Sequence, residues 1–114
     1  MTDRELSPEI VAELLRRDDT QLVDVREPYE HEAGRIAGAR HVELGALAAE
    51  AESIDKERPL VFYCRVGARS AMATQAFAAA GYDAYNLAGG IVGWVHAGLA
   101  IDGDVAEHKV TGDW

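Results

Sequence analysis

The stretch Leu60-Val61-Phe62-Tyr63-Cys64-Arg65-Val66-Gly67-Ala68-Arg69-Ser70 decides the fold: an apolar run ends in the chain's one cysteine, and a basic loop containing a glycine follows. Leu60 to Tyr63 has the length and the β-branched or aromatic content of a buried strand, and Pro59 marks the turn before it. Cys64 then stands at a strand's carboxyl end. From Ser70 to Ala80 the residues are strong helix formers with apolar positions at helical spacing, and Gly81 supplies the C-cap. The loop therefore joins a strand to the amino terminus of a helix. In such a turn successive backbone N–H groups face one concavity and the helix dipole adds positive charge. Arg65 and Arg69 add two full charges, which describes an anion cradle with sulfur at its centre. A thiol there is expected to ionise more readily than a free one, and the thiolate is the nucleophilic form. The bland alternative, a small core cysteine before an ordinary loop, does not call for two arginines and a glycine within five residues.

Working outward, Ser7 and Pro8 open a helix as N-cap and first helical residue, with Ile10, Val11, Leu14 and Leu15 as its apolar stripe and an end near Arg17-Asp18-Asp19. Gln21 to Val25 reads as a buried strand carrying Asp24 near its end, followed by a polar loop from Arg26 to Glu32. A buried strand end seldom tolerates a lone carboxylate, so Asp24 is expected to pair with Arg26 or with an arginine of another loop, as scaffold rather than catalyst. Two glycines punctuate residues 34–41, Gly38 allowing a turn with positive φ. A short strand at His41-Val42-Glu43 and an alanine-rich helix from Leu44 to Ser53 come next, and Asp55-Lys56-Glu57-Arg58 is a solvated charged loop. Beyond the central unit, Asp83 to Leu87 is another strand, Ala88-Gly89-Gly90 a tight turn, and Ile91 to His96 a short helix in which Trp94 is a core residue. The double glycine is expected to lie against the Cys64 loop, since both leave strand carboxyl ends. An extended piece is expected at Leu99-Ala100-Ile101, with a polar tail after Gly103 on which Trp114 either docks or is exposed.

Strands alternating with helices over 114 residues, 48% of them hydrophobic, imply one α/β domain with a mostly parallel sheet covered on both faces. A net charge of −9 argues against nucleic acid or an anionic membrane as partner. No apolar run reaches the length of a signal segment or a membrane span, and a single cysteine suits a reducing cytoplasm. The histidines at positions 31, 41, 96 and 108 show no metal-ligand spacing with one another or with Cys64, so neither metal nor cofactor is expected.

Four segments, in order, resemble rhodanese-type sulfurtransferases. Cys64-Arg65-Val66-Gly67-Ala68-Arg69-Ser70 is similar to the family's active-site loop. Asp24-Val25-Arg26-Glu27 resembles its Asp-x-Arg segment. Gly34-Arg35-Ile36-Ala37-Gly38-Ala39-Arg40-His41 resembles Gly-His-Ile-x-Gly-Ala-x-Asn, with Arg35 where histidine is common. Leu87-Ala88-Gly89-Gly90-Ile91-Val92-Gly93-Trp94 is similar to Leu-x-Gly-Gly-x-x-x-Trp. These matches cover most of residues 6–98. The resemblance implies a single rhodanese-like domain over 1–114, with a core of about 6–101, a polar tail at 102–114 and a sheet of about five strands. It also implies a reaction: the Cys64 thiolate takes sulfane sulfur from a small anionic donor such as thiosulfate, holds it as a persulfide, and passes it to cyanide or a thiol, including a protein thiol. Arg65, Val66, Gly67, Ala68, Arg69 and Ser70 would bind the donor, with Asp24, Arg26, Gly89 and Gly90 supporting the loop from behind, in a monomer.

Two rivals are weighed against that reading. Cysteine-loop phosphatases and arsenate reductases use Cys-x-x-x-x-x-Arg, whereas the sixth residue after Cys64 is Ser70 and Arg69 comes one earlier. A shorter loop makes a cradle for one added sulfur and is too tight for a tetrahedral oxyanion. The other rival is a persulfide carrier or binding module in a sulfur relay, built on the same loop.

Overall fold

The computed structural model describes residues 4–17 and 19–105. Five strands form one parallel sheet: β1 (Glu5–Leu6), β2 (Gln21–Asp24), β4 (Arg40–His41), β5 (Leu60–Tyr63) and β6 (Ala84–Leu87), in the spatial order β1-β6-β5-β2-β4. A separate antiparallel pair joins β3 (Gly34–Arg35) to β7 (Asp102–Gly103). The helices are α1 (Pro8–Leu15), α2 (Pro28–Ala33), α3 (Leu47–Glu50), α4 (Ala68–Ala79) and α5 (Gly90–His96). The α/β class and the mostly parallel five-stranded sheet hold.

Strand β5 lies between β2 and β6 and is fully buried along its length. Its side chains alternate between two cores, as strand geometry requires. Leu60, Phe62 and Cys64 pack with Val23, Leu47, Ala73 and Phe77, beneath α3 and α4. Val61 and Tyr63 point the other way, to Val11, Ile91 and Trp94 of α1 and α5. A continuous apolar strand with no polar face is what a sheet covered on both sides demands. Trp94 is core, as the sequence implies, and its indole N–H donates to the Ala100 carbonyl at 2.9 Å.

Several local expectations are corrected. Residues 26–32 are not all loop, because Pro28 to Ala33 forms α2, started by a proline at its first position and by Glu30, whose carboxylate accepts the Glu27 N–H at 2.9 Å. The expected helix from Leu44 to Ser53 is broken into α3 flanked by tighter turns at Leu44–Ala46 and Ala51–Ser53. Gly45 in its first turn weakens a regular helix. The strand expected at residues 41–43 is shifted to Arg40–His41, and the carboxyl-terminal extended pairing falls at Asp102–Gly103 rather than at Leu99-Ala100-Ile101. Trp114 lies outside the described residues.

Candidate active site

Strands β2, β5 and β6 run parallel, so their carboxyl ends gather at one edge of the sheet. The loop after β5 and the turn after β6 therefore meet there. Cys64 follows Tyr63 directly, and the loop from Arg65 to Gly67 closes back on its sulfur. The Sγ atom accepts the Gly67 N–H at 3.1 Å, the Ser70 N–H at 3.4 Å and the Ser70 hydroxyl at 3.3 Å. Gly67 reaches its place with φ +114, a left-handed conformation that side chains resist, and it sits directly before Ala68 at the start of α4. The glycine and the serine quoted from the sequence are thus the residues that hold the sulfur, and the cradle forms from backbone and hydroxyl donors.

The double glycine meets this loop as expected. Ile91 N–H donates to the Cys64 carbonyl at 2.9 Å and Val92 N–H to the Arg65 carbonyl at 3.1 Å. Gly90 adopts φ +62, and a Cβ there would lie 2.3 Å from the Arg65 carbonyl oxygen. Only hydrogen fits. A Gly90→Ala variant is expected to push the Cys64 loop out of register and to cost about 2 kcal/mol or more, the range of overpacking plus backbone strain. Thermal unfolding checks this, and an unchanged midpoint would mean that the loop has slack.

Asp24 and Arg26 pair as foreseen, and both are inaccessible. Arg26 Nε and Nη2 donate to the two carboxylate oxygens at 2.9 and 2.7 Å, and the Arg26 N–H adds a third bond at 3.0 Å. Arg26 Nη2 also donates to the Gly34 carbonyl at 2.7 Å, which ties the end of β2 to the end of α2. Burial pushes the Asp24 carboxyl up, but the Arg26 hydrogen bonds and charge, with a bond from His31, outweigh it and hold the carboxyl below its usual range. The pair stands beside the cysteine strand, since Asp24 is in register with Tyr63.

Three residues of this end of the sheet carried no assignable signal in the sequence. His31 Nδ1 lies 2.8 Å from Asp24 Oδ2, and its ring stacks on His41 at 4.6 Å. Glu30, with 2% of its surface exposed, grips Arg69: Nη1 and Nη2 donate to its two oxygens at 2.9 and 3.1 Å. Burial lowers the proton affinity of the Arg69 guanidinium, and the Glu30 carboxylate more than reverses it. Asn86 of β6 donates to the Gly67 carbonyl at 3.2 Å. The sequence reading counts Arg69 as a second cation facing the donor, whereas in the fold its charge is met by Glu30. A paired Glu and Arg separated by 39 residues leave no local pattern to read.

Cys64 itself presents no accessible surface. At the rim of its loop Val66 is 42% exposed and Arg65 is half-buried.

Comparison with known proteins agrees with this fold. The rhodanese-like domain model matches residues 7–97, and the chain belongs to the rhodanese-like domain family. A sulfurtransferase of Allochromatium vinosum is 39% identical over 85 residues, spanning 74% of this chain and 79% of that protein. Thiosulfate sulfurtransferase GlpE of Pseudomonas aeruginosa is 35% identical over 94 residues, 82% of this chain and 84% of its own length. The uncharacterized protein YqhL of Bacillus subtilis is 41% identical over 75 residues, and the match spans only 60% of it. Among solved structures, a rhodanese-related protein from Thermoplasma volcanium superposes with a TM-score of 0.80 at 24% identity, covering 86% of this chain and 96% of that one. A rhodanese-like domain protein from Staphylococcus aureus gives 0.74 at 28% identity, with coverages of 80% and 90%. The family and the relatives named sulfurtransferase support sulfur transfer in general. No helix among the described residues is long and apolar enough to cross a membrane.

Proposed function

We propose that the chain is a sulfurtransferase that carries sulfane sulfur on Cys64. The convergence of Gly67 N–H, Ser70 N–H and Ser70 O–H on Sγ supports this most directly, because three donors aimed at one sulfur suit an atom that bears negative charge. In the first half-reaction the Cys64 thiolate attacks the outer sulfur of thiosulfate. The S–S bond of the donor breaks, its electron pair leaves with sulfite, and Cys64 is left as a persulfide anion. In the second, cyanide or a thiolate attacks the outer sulfur of that persulfide, departing as thiocyanate or as a new persulfide and regenerating the Cys64 thiolate. Two half-reactions on one nucleophile give ping-pong kinetics.

The donor's charge is met by loop N–H groups and by Arg65, while Arg69, held by Glu30, fixes the loop against α2. Arg65→Ala should therefore weaken turnover of thiosulfate by about 1 to 3 kcal/mol, the range for one charge-assisted contact, and should affect an uncharged donor much less. Arg69→Ala should slow both donors alike and lower the thermal midpoint. If Arg69→Ala discriminated by donor charge and left stability intact, it would be an anion ligand after all.

The phosphatase reading loses ground on the same observation. The arginine that a phosphate cradle needs is one position early and is engaged by Glu30. Steady-state turnover with thiosulfate and cyanide, compared with thiol acceptors, tests the proposal. Turnover with ping-pong kinetics is expected, and a chain that accepts sulfur but releases it to none of these acceptors would be a carrier module instead.

A further inference from the structure

The Ser70 hydroxyl has one hydrogen and two acceptors at the same distance. Its Oγ lies 3.3 Å from Cys64 Sγ and 3.3 Å from the Gly67 carbonyl oxygen. Only the first choice serves the sulfur. A carbonyl oxygen has two lone pairs. The Gly67 carbonyl already accepts the Ala71 N–H of the first turn of α4 at 3.0 Å and the Asn86 side-chain amide at 3.2 Å. With both lone pairs occupied, the carbonyl competes poorly for the Ser70 proton, and the hydroxyl turns to Sγ.

We propose that Asn86 is a positioning residue for sulfur transfer, directing the Ser70 hydroxyl onto Cys64 by filling the second acceptor position of the Gly67 carbonyl. Asn86 is 2% exposed, in the middle of β6, and its orientation is not left to chance. The same Nδ2 donates to the Glu5 carboxylate, at 2.9 Å to Oε2 and 3.2 Å to Oε1. Reversing the amide would set its oxygen against both a carboxylate and a carbonyl. The amide oxygen of Asn86 is buried and has no hydrogen-bond partner among the described residues, so the amide donors fix the side chain. Glu5, near the start of the chain on β1, thereby acts on the active-site loop through one asparagine. The inference rests on the sulfur-transfer reading for its consequence, and on hydrogen-bond geometry for its existence.

A double-mutant cycle between Asn86→Ala and Ser70→Ala tests it. The rate of sulfur loading from thiosulfate is followed by intact-mass spectrometry. Each single variant should load more slowly by about tenfold or more, the lower end for one hydrogen bond to an anionic atom. The double variant should be no slower than Ser70→Ala alone, since Asn86 has nothing to direct once the hydroxyl is gone. Losses that multiply to about 100-fold would show that Asn86 acts independently of Ser70 and would overturn the proposal. So would an Asn86→Ala variant that loads at the wild-type rate. Should Asn86→Ala not fold, Glu5→Ala, at an exposed position, takes its place in the cycle, with a loss of about twofold expected in the Ser70 background and none in the Ser70→Ala background. An equal loss in both backgrounds would overturn the proposal. The same cycle is read on alkylation of Cys64 by iodoacetamide, which needs a nucleophilic sulfur and no sulfur donor. A wild type that is alkylated but never loads sulfur would sink the functional reading while the alkylation cycle still decides the role of Asn86.

Discussion

Cys64→Ser is expected to abolish sulfur transfer and to leave the fold intact. A hydroxyl occupies nearly the volume of a thiol, and the N–H groups of Gly67 and Ser70 and the Ser70 hydroxyl would find an oxygen where they now find sulfur. The alcohol is not ionised at neutral pH and cannot form a persulfide, so both half-reactions fail together. The thermal midpoint should stay within a few degrees, because no cavity opens and no buried donor is stranded. Retained turnover with thiosulfate in this variant would place the chemistry elsewhere in the chain. Loss of folding would show instead that the sulfur serves mainly to pack beside Phe62, Ala73 and Phe77.

The largest effect on stability is expected at Arg26. Arg26→Met keeps the volume but leaves the Asp24 carboxylate fully buried, with the His31 ring, the Tyr63 side chain and a backbone N–H against it and no cation in the place of the guanidinium. Removing one partner of a buried pair costs about 3–5 kcal/mol, because the remaining charge keeps its burial penalty. For a domain of this size that lowers the thermal midpoint by about 15 °C or more. The variant also carries a pH signature. In the wild type the Asp24 carboxyl is held below its unfolded value, so its contribution to stability is complete above that unfolded value, near 3.8, and is lost as pH falls through the lower folded-state value. Glu30, held low by Arg69 against the upward push of burial, adds loss in the same direction. Without Arg26, burial of Asp24 is the dominant influence and raises its carboxyl. The variant should then gain stability relative to wild type as pH is lowered from 8 toward 5. Chemical denaturation of both proteins across that range checks the sign, and parallel curves would mean that the carboxylate is relieved by solvent once the guanidinium is gone.

The sheet was legible because β5 announces itself: four apolar residues, a proline before and a cysteine after leave one reading, and the alternation of Phe62 and Tyr63 between two cores follows from strand geometry. The cradle was legible for the same reason, since Gly67 and Ser70 lie within six residues of the sulfur they hold. The contact of Gly90 with the loop followed from the two turns sharing the carboxyl edge of a parallel sheet. What the sequence hid is what the sheet brings together from afar. Glu30 looked like one more charge in a polar stretch, yet its carboxylate both starts α2 and neutralises Arg69. Helix α2 is six residues long, too short for an apolar stripe to show, and it is specified by Pro28 and Glu30 rather than by periodicity. Asn86 read as an ordinary strand residue, because its partners Glu5 and Gly67 are distant in the chain and close only through the pairing of β1, β6 and β5. The net charge of −9 gave no hint that the arginine nearest to completing an anion site would be met by a buried glutamate.

Whether Cys64 carries the sulfur is decided by intact-mass spectrometry of the wild-type chain after incubation with thiosulfate. The expected result is a gain of the mass of one sulfur atom, located by peptide mapping on Cys64, removed by dithiothreitol and absent from Cys64→Ser. A wild-type mass unchanged by thiosulfate would contradict it.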